Sequence, residues 1–344
     1  MDTYQECLDL VSDVIRNNDI DLSVVEGDEN VILANIQIDD KYIIFPSLQE
    51  PMLILDEIGT ADQFRSFYFS VLMLVNDDYH SGNILMDKLE HYGIPECQNI
   101  ENLYGNILIK QLFIILHEVG HYCYRNNDEL SHFYKTGFTD YLTILICEGA
   151  GYKETIDCTK NSIISLFEQY VDDVEGIKDF FDNYNYKSMS TKYFSDPNNI
   201  EESAADLTAL LILNNLLRTK INHIEYDPET QSVIEAANYI NTVIAWRNLI
   251  EGYGTDSSYI NNSPIRLSFL LIMSFVTFND TAPFTYSREN TLRKQLELLV
   301  NLKEYECYIL KWRDGNNNTY NEMKYNKLKE RIDNYAKELK KLYQ

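Results

Sequence analysis

Tyr4, Cys7, Leu8, Val11, Val14 and Ile15 recur at intervals of three and four, the spacing of one helix face. They predict an amphipathic helix that stops near Arg16-Asn17-Asn18. Residues 31–38 alternate apolar and polar positions, and Asp39-Asp40 turns the chain into the apolar run 41–45, which predicts a hairpin. The apolar run over 52–58 predicts a third strand. Residues 61–75 read as a helix with an almost wholly apolar face. Residues 76–83 are polar and read as a loop carrying His80, and His91 falls in a turn-rich stretch before Pro95. The segment 102–124 is the central helix: Leu103, Ile107 and Ile114 line one face, while Leu112, Leu116, Val119 and Cys123 line the other. A helix apolar on both faces is buried.

Helical patterns continue over 138–149, 162–170 and 174–181. The aromatic and polar stretch 184–199 predicts a long loop, either a lid over a site or a plain connector. Apolar helices follow over 232–250 and 264–278. Near the end, Tyr325, Leu328, Ile332, Tyr335, Leu339 and Leu342 form an a/d seam. That seam suits a two-chain coil, giving a homodimer, or a hairpin against 292–312. The elements sum to an α+β, predominantly α-helical chain. Its expected divisions are an N-terminal α/β segment over 1–60, a core over 61–220 and a helical C-terminal region over 221–344.

The 344 residues are 45% hydrophobic and 24% charged, ordinary for a globular protein, but the formal charge of −25 is not. Phosphate binding needs a basic surface, so nucleic acid is excluded as the main partner, and anionic lipid is repelled. The apolar runs 107–116 and 267–278 are too short to span a bilayer. The first residues are acidic where a secretory signal is basic. None of the six cysteines forms C-x-x-C, so reduced thiols and a cytoplasmic location are expected. From 320 onward seven lysines and arginines face four acids, which offers a dock for an acidic regulatory partner or simply a solvated helix face.

The central helix ends in His117-Glu118-Val119-Gly120-His121. Residues four apart stack on one helix face, so both imidazoles can point at one metal ion. Glu118 is placed to serve as general base toward water. Buried histidines and a glutamate need polar partners, because leaving them without any costs several kcal/mol. Gly120 costs about 1 kcal/mol of helix propensity relative to Ala, which close approach of a neighbouring backbone would explain.

A third ligand has to come from elsewhere. Asn127 stands where one class of zinc peptidase carries a third histidine; Asp128 is one residue out of register and His132 lies in a following segment. The stretch Glu201-Glu202-Ser203-Ala204-Ala205-Asp206 offers more, with Ala204, Ala205 and Ala209 small enough for tight helix packing. Glu202 as zinc ligand and Asp206, one turn on, as acceptor of a ligand histidine's free N–H fit together. The competing reading has Glu202 closing a capping box with Asn199. Glu201 is the adjacent alternative, without an acid four residues later. Downstream, His223, Tyr259 and Arg266 are candidate transition-state stabilisers, each with an equally available packing or surface role.

His117-Glu-Val-Gly-His121 followed by Glu202-Ser-Ala-Ala-Asp206 resembles the gluzincin branch of zinc metallopeptidases over about residues 100–215. It is also similar to the phage-exclusion and bacterial-defence peptidases. The resemblance implies a zincin-like catalytic core, one Zn2+ per chain on His117, His121 and Glu202, Glu118 as base and Asp206 as orienter. The expected activity is zinc-dependent intracellular hydrolysis of a peptide bond in a specific protein substrate. Two alternatives stand beside it. One is a catalytically silent regulatory protein of zincin fold, and the other a helical interaction protein with an accidental motif.

Overall fold

The computed structural model describes residues 3–27, 35–37, 41–133, 192–221 and 321–343, with 232–233, 235–237, 239–240, 243–244, 266 and 270. The described residues are predominantly helical, with one small sheet. They belong to two compact units. The first gathers Met1–Glu118, Ile221–Tyr226 and Leu310–Gln344; the second gathers Val119–Lys220 and Asp227–Ile309. The divisions expected at 60 and 220 follow the chain, whereas the C-terminal helix joins the N-terminal segment in space.

In the first unit, α1 (Thr3–Asn17) buries Tyr4, Cys7, Val11, Val14 and Ile15, the face that its periodicity defines. Tyr4 stacks on Phe45 at 4.7 Å and donates its hydroxyl to the Phe45 carbonyl at 2.7 Å. This anchors the helix on the sheet formed by β1 (Ser23–Gly27), β2 (Asn35–Gln37) and β3 (Tyr42–Pro46), in the order β1–β3–β2. β2 and β3 pair antiparallel, as the hairpin pattern predicts, with Ile36 opposite Ile43. β1 runs parallel to β3, with Val25 opposite Ile44. It has no counterpart in the sequence reading, because Ser-Val-Val-Glu-Gly at a largely exposed edge carries only two apolar residues.

The third expected strand, 52–58, is instead helix α2 (Gln49–Ile58). A continuous apolar run cannot separate a buried strand from a buried helix by periodicity alone. Pro51 decides it. In the first turn its missing N–H costs nothing, whereas in a central strand it would break the ladder. α3 (Ala61–Val75) occupies its expected span and opens with a capping box in which Thr60 and Gln63 bond reciprocally. The loop expected over 76–83 is largely helix as well: α4 (Tyr79–Tyr92) starts at Asp78, whose side chain accepts from the Ser81 amide. His80 and His91 therefore sit exposed on a helix rather than in loops.

The C-terminal helix α8 (Glu322–Lys340) lies against α2, α3 and α4 and buries the seam positions Leu328, Ile332, Tyr335 and Leu339. The seam is thus occupied within this chain. A Cβ on Gly82 would meet the Leu328 side chain, so α8 packs closely on α4 at that glycine. Arg331 forks onto Glu90 at 2.9 and 2.8 Å and reaches Asp87 at 2.7 Å and Asn83 at 2.9 Å. At the far end Glu50, fully buried, accepts from Tyr343 at 2.6 Å and from Thr3, and pairs with Lys340 at 2.7 Å.

α5 (Ile100–Asn126) is one unbroken helix of 27 residues, with Ile107–Leu116 buried on all sides. Even Lys110 is fully buried; its ammonium is held by Glu57, with Asp56 at 3.8 Å. The second unit contains the end of α5, α6 (Asp128–Phe133) and α7 (Pro197–Thr219). The expected helices over 138–149, 162–170 and 174–181, and the segment 292–312, lie outside the described residues. Within 232–250 the described positions are helical, as are 266 and 270. Among the described residues no helix is long and apolar enough to cross a membrane.

Candidate metal centre

His117 and His121 are buried, with 3% and 7% exposure, and occupy successive turns of α5. Their four-residue spacing puts both rings on one face. Glu118, half-buried, follows the first of them.

The carboxylates come from α7. Its start is fixed locally: Asp196 caps the helix by accepting from the Asn198 amide at 3.0 Å, and Pro197 takes the first helical position. Because the cap is Asp196, no capping box forms between Asn199 and Glu202. The Asn199 amide donates instead to the Tyr193 carbonyl at 3.0 Å. That start sets the phase of the helix, and Glu201, Glu202 and Asp206 follow from it.

Packing between α5 and α7 is extremely close. A Cβ on Gly120 would lie 2.6 Å from both Cα and the carbonyl oxygen of Ala205, and Ala204, Ala205 and Ala209 are fully buried. The glycine between Glu118 and His121 and the alanines after Glu202 thus let two backbones touch. This is the approach expected from their small size.

The result is a group of three side chains that could hold a metal ion. His117, His121 and Glu202 each present one ligand atom, and these atoms lie within 4.8 Å of one another. His121 Nε2 is 3.6 Å from Glu202 Oε1. Donors about 2.0–2.1 Å from a tetrahedral zinc stand about 3.3 Å apart, so the histidine–glutamate edge already has nearly the right length. The His2Glu donor set is the chemistry of catalytic zinc sites, which leave a fourth position for water. No other such group occurs among the described residues, so Asp128, His132, His80 and His91 are not drawn into one.

Charged neighbours surround these groups. Arg266, 3% exposed, donates from Nε and Nη2 to the two oxygens of Asp206, both at 2.8 Å, and its Nη1 lies 3.3 Å from Glu202 Oε2. Burial alone would lower the guanidinium pKa, but Asp206 and then Glu202 outweigh it and hold the group firmly charged. Both Asp206 oxygens thus accept from Arg266. Tyr193, 2% exposed, shares this field; burial pushes its phenol well above the ordinary value, against the opposing pull of Arg266 and Ser203. Glu201 contacts His121 Nδ1 at 2.9 Å and Arg125 Nε at 2.5 Å. Burial raises its pKa, yet His121 and Arg125 together carry it below the usual carboxylate value. Three carboxylates face two guanidinium groups here, so the cluster is net negative, the sign a divalent cation needs.

Sequence reasoning named the three side chains that converge here, and Arg266, but not the environment of Arg266, because nothing in a linear pattern pairs positions 206 and 266. Tyr193 and Arg125 were missed. Arg125, one turn after His121 on the same helix, carried a readable signal. His223 and Tyr259 lie outside the described residues. Comparison with protein-family models, curated proteins and solved structures finds no match for this chain.

Proposed function

We propose that this chain is a zinc-dependent intracellular endopeptidase of gluzincin type that hydrolyses a peptide bond in a specific protein. The observation that carries the reading is the convergence of His117, His121 and Glu202, drawn from two helices whose backbones meet at Gly120 and Ala205. Nothing in helix packing alone requires two buried imidazoles and a carboxylate to meet there, and a cation explains all three.

A zinc ion on these side chains supplies a Lewis acid and lowers the pKa of water at its open position. The chain's own residues do the rest. Glu118 takes a proton from the attacking water as its oxygen adds to the scissile carbonyl carbon. It then delivers that proton to the leaving amine nitrogen as the C–N bond breaks. Asp206 and Arg266 hold α7 in register and keep Glu202 Oε2 engaged, so that Oε1 stays turned toward His121.

The test begins with metal content. Purified protein, dialysed without added metal, is expected to carry about one zinc per chain by elemental analysis. Glu202→Ala should lose that zinc. Glu118→Gln should keep it while losing hydrolysis of a protein substrate by about a hundred- to ten-thousandfold. Folded protein that refuses zinc would overturn the reading and leave a helical interaction protein. Zinc bound without turnover of any protein substrate would leave a silent regulatory site, and hydrolysis that survives Glu118→Gln would overturn the role of Glu118 as base.

A further inference from the structure

Both ring nitrogens of His121 face carboxylates from consecutive residues of α7. Nδ1 lies 2.9 Å from Glu201 Oε1, and Nε2 lies 3.6 Å from Glu202 Oε1. Side chains of consecutive helix residues diverge by about 100°. They meet one imidazole only because the ring stands between them. Glu201 is itself held, since Arg125, one turn beyond His121 on α5, places Nε 2.5 Å from the same Oε1.

An ionised carboxylate accepts hydrogen bonds and cannot donate them. An imidazole that donates from Nδ1 to Glu201, the shorter of the two contacts, keeps its Nε2 lone pair on the side of Glu202. That is the tautomer a metal on Nε2 requires. Asp206, the orienter that the resemblance implies, lies one turn beyond Glu202 and accepts from Arg266.

We propose that Glu201, braced by Arg125, is the positioning residue for His121. It fixes the ring's tautomer and rotation so that Nε2 is preset for the cation. Two adjacent glutamates thus divide the work: Glu202 binds the ion and Glu201 orients a fellow ligand. The inference rests on His121 being a zinc ligand. Glu201 and Arg125 are partly exposed, with side-chain exposures of 18% and 38%, so their pairing contributes little to folding and its removal can be read at the metal.

The experiment compares wild type, Glu201→Ala and Glu201→Gln by competition titration against a chromophoric zinc chelator. Thermal melting of the metal-free proteins is followed alongside. Glu201→Ala should weaken zinc binding about ten- to a hundredfold with unchanged metal-free melting. Glu201→Gln, whose amide oxygen still accepts from Nδ1, should recover most of that loss. Equal zinc affinity in wild type and Glu201→Ala would overturn the positioning role and leave the metal site standing. Wild type that binds no zinc would instead remove the metal reading itself. Nitrogen-15 NMR of the metal-free wild type gives a reading independent of any variant. His121 protonated on Nδ1 is expected, and the Nε2–H tautomer would refute the proposal.

Discussion

A guanidinium as buried as Arg266 stays charged because carboxylates enclose it, and the dependence is mutual. Removing it by Arg266→Ala would strand Asp206, which has no exposure, as a buried anion without its bidentate partner. The expected loss is about 3–5 kcal/mol of folding stability by urea denaturation. Arg266→Lys should recover only part of it, since an ammonium cannot fork onto two oxygens. An alanine variant as stable as wild type would show that the pair holds nothing in place. Tyr335 gives a pH signature at the same scale. Its hydroxyl donates to the Gly93 carbonyl at 2.9 Å, and burial, opposed by Gln63, pushes its pKa from 10.0 to about 12. The folded state thus favours the neutral phenol, so this stability is full below pH 10.0 and is lost as pH rises toward about 12. Tyr335→Phe should flatten that limb of a stability-versus-pH curve, and an unchanged limb would assign it to other groups.

The contact of α5 with α7 turns on one missing methyl group. Ala at position 120 would favour the helix by about 1 kcal/mol on propensity. The new Cβ, however, would meet the Ala205 backbone at 2.6 Å, and backbone cannot swing aside as a side chain can. Gly120→Ala should therefore force the helices apart, draw Glu202 away from His121, and lower zinc affinity in chelator competition even where the protein still folds. Undiminished affinity would mean that the site tolerates a wider spacing. How far sequence carried the argument also differs by element. α3 and α5 were legible because their apolar positions repeat at helical spacing over fifteen residues or more. α2 was not, since the four consecutive apolar residues Met52–Leu55 carry no period, and Pro51 was the cue to use. α4 hid behind its polar first turn, although Asp78 with Ser81 is an N-cap signal. The His–Glu–His grouping was legible because helix geometry fixes residues four apart. The contact of Glu201 with His121 and the pairing of Asp206 with Arg266 were not, because a spacing rule knows the helix face but not which side chains another element brings to it.

Across the whole chain, described contacts tie α8 to the N-terminal elements through a fully buried carboxylate. Tyr343, Thr3 and Lys340 all converge on Glu50. Tyr343→Phe keeps the ring against Tyr104 but removes a donor from that anion, and should cost about 1–3 kcal/mol in thermal or urea denaturation. A cost near zero would mean that Thr3 and Lys340 suffice. The same arrangement sets a timetable. Arg331 reaches back to Asn83 across 248 positions of chain. At about 5–20 residues per second on the ribosome, the covering helix follows its bed by roughly 12–50 s. Throughout that interval the grooves meant for Leu328 and Tyr335 stand open to water and to other nascent chains. The opening segment of this protein is thus finished late in synthesis, and chaperones have that long to guard it.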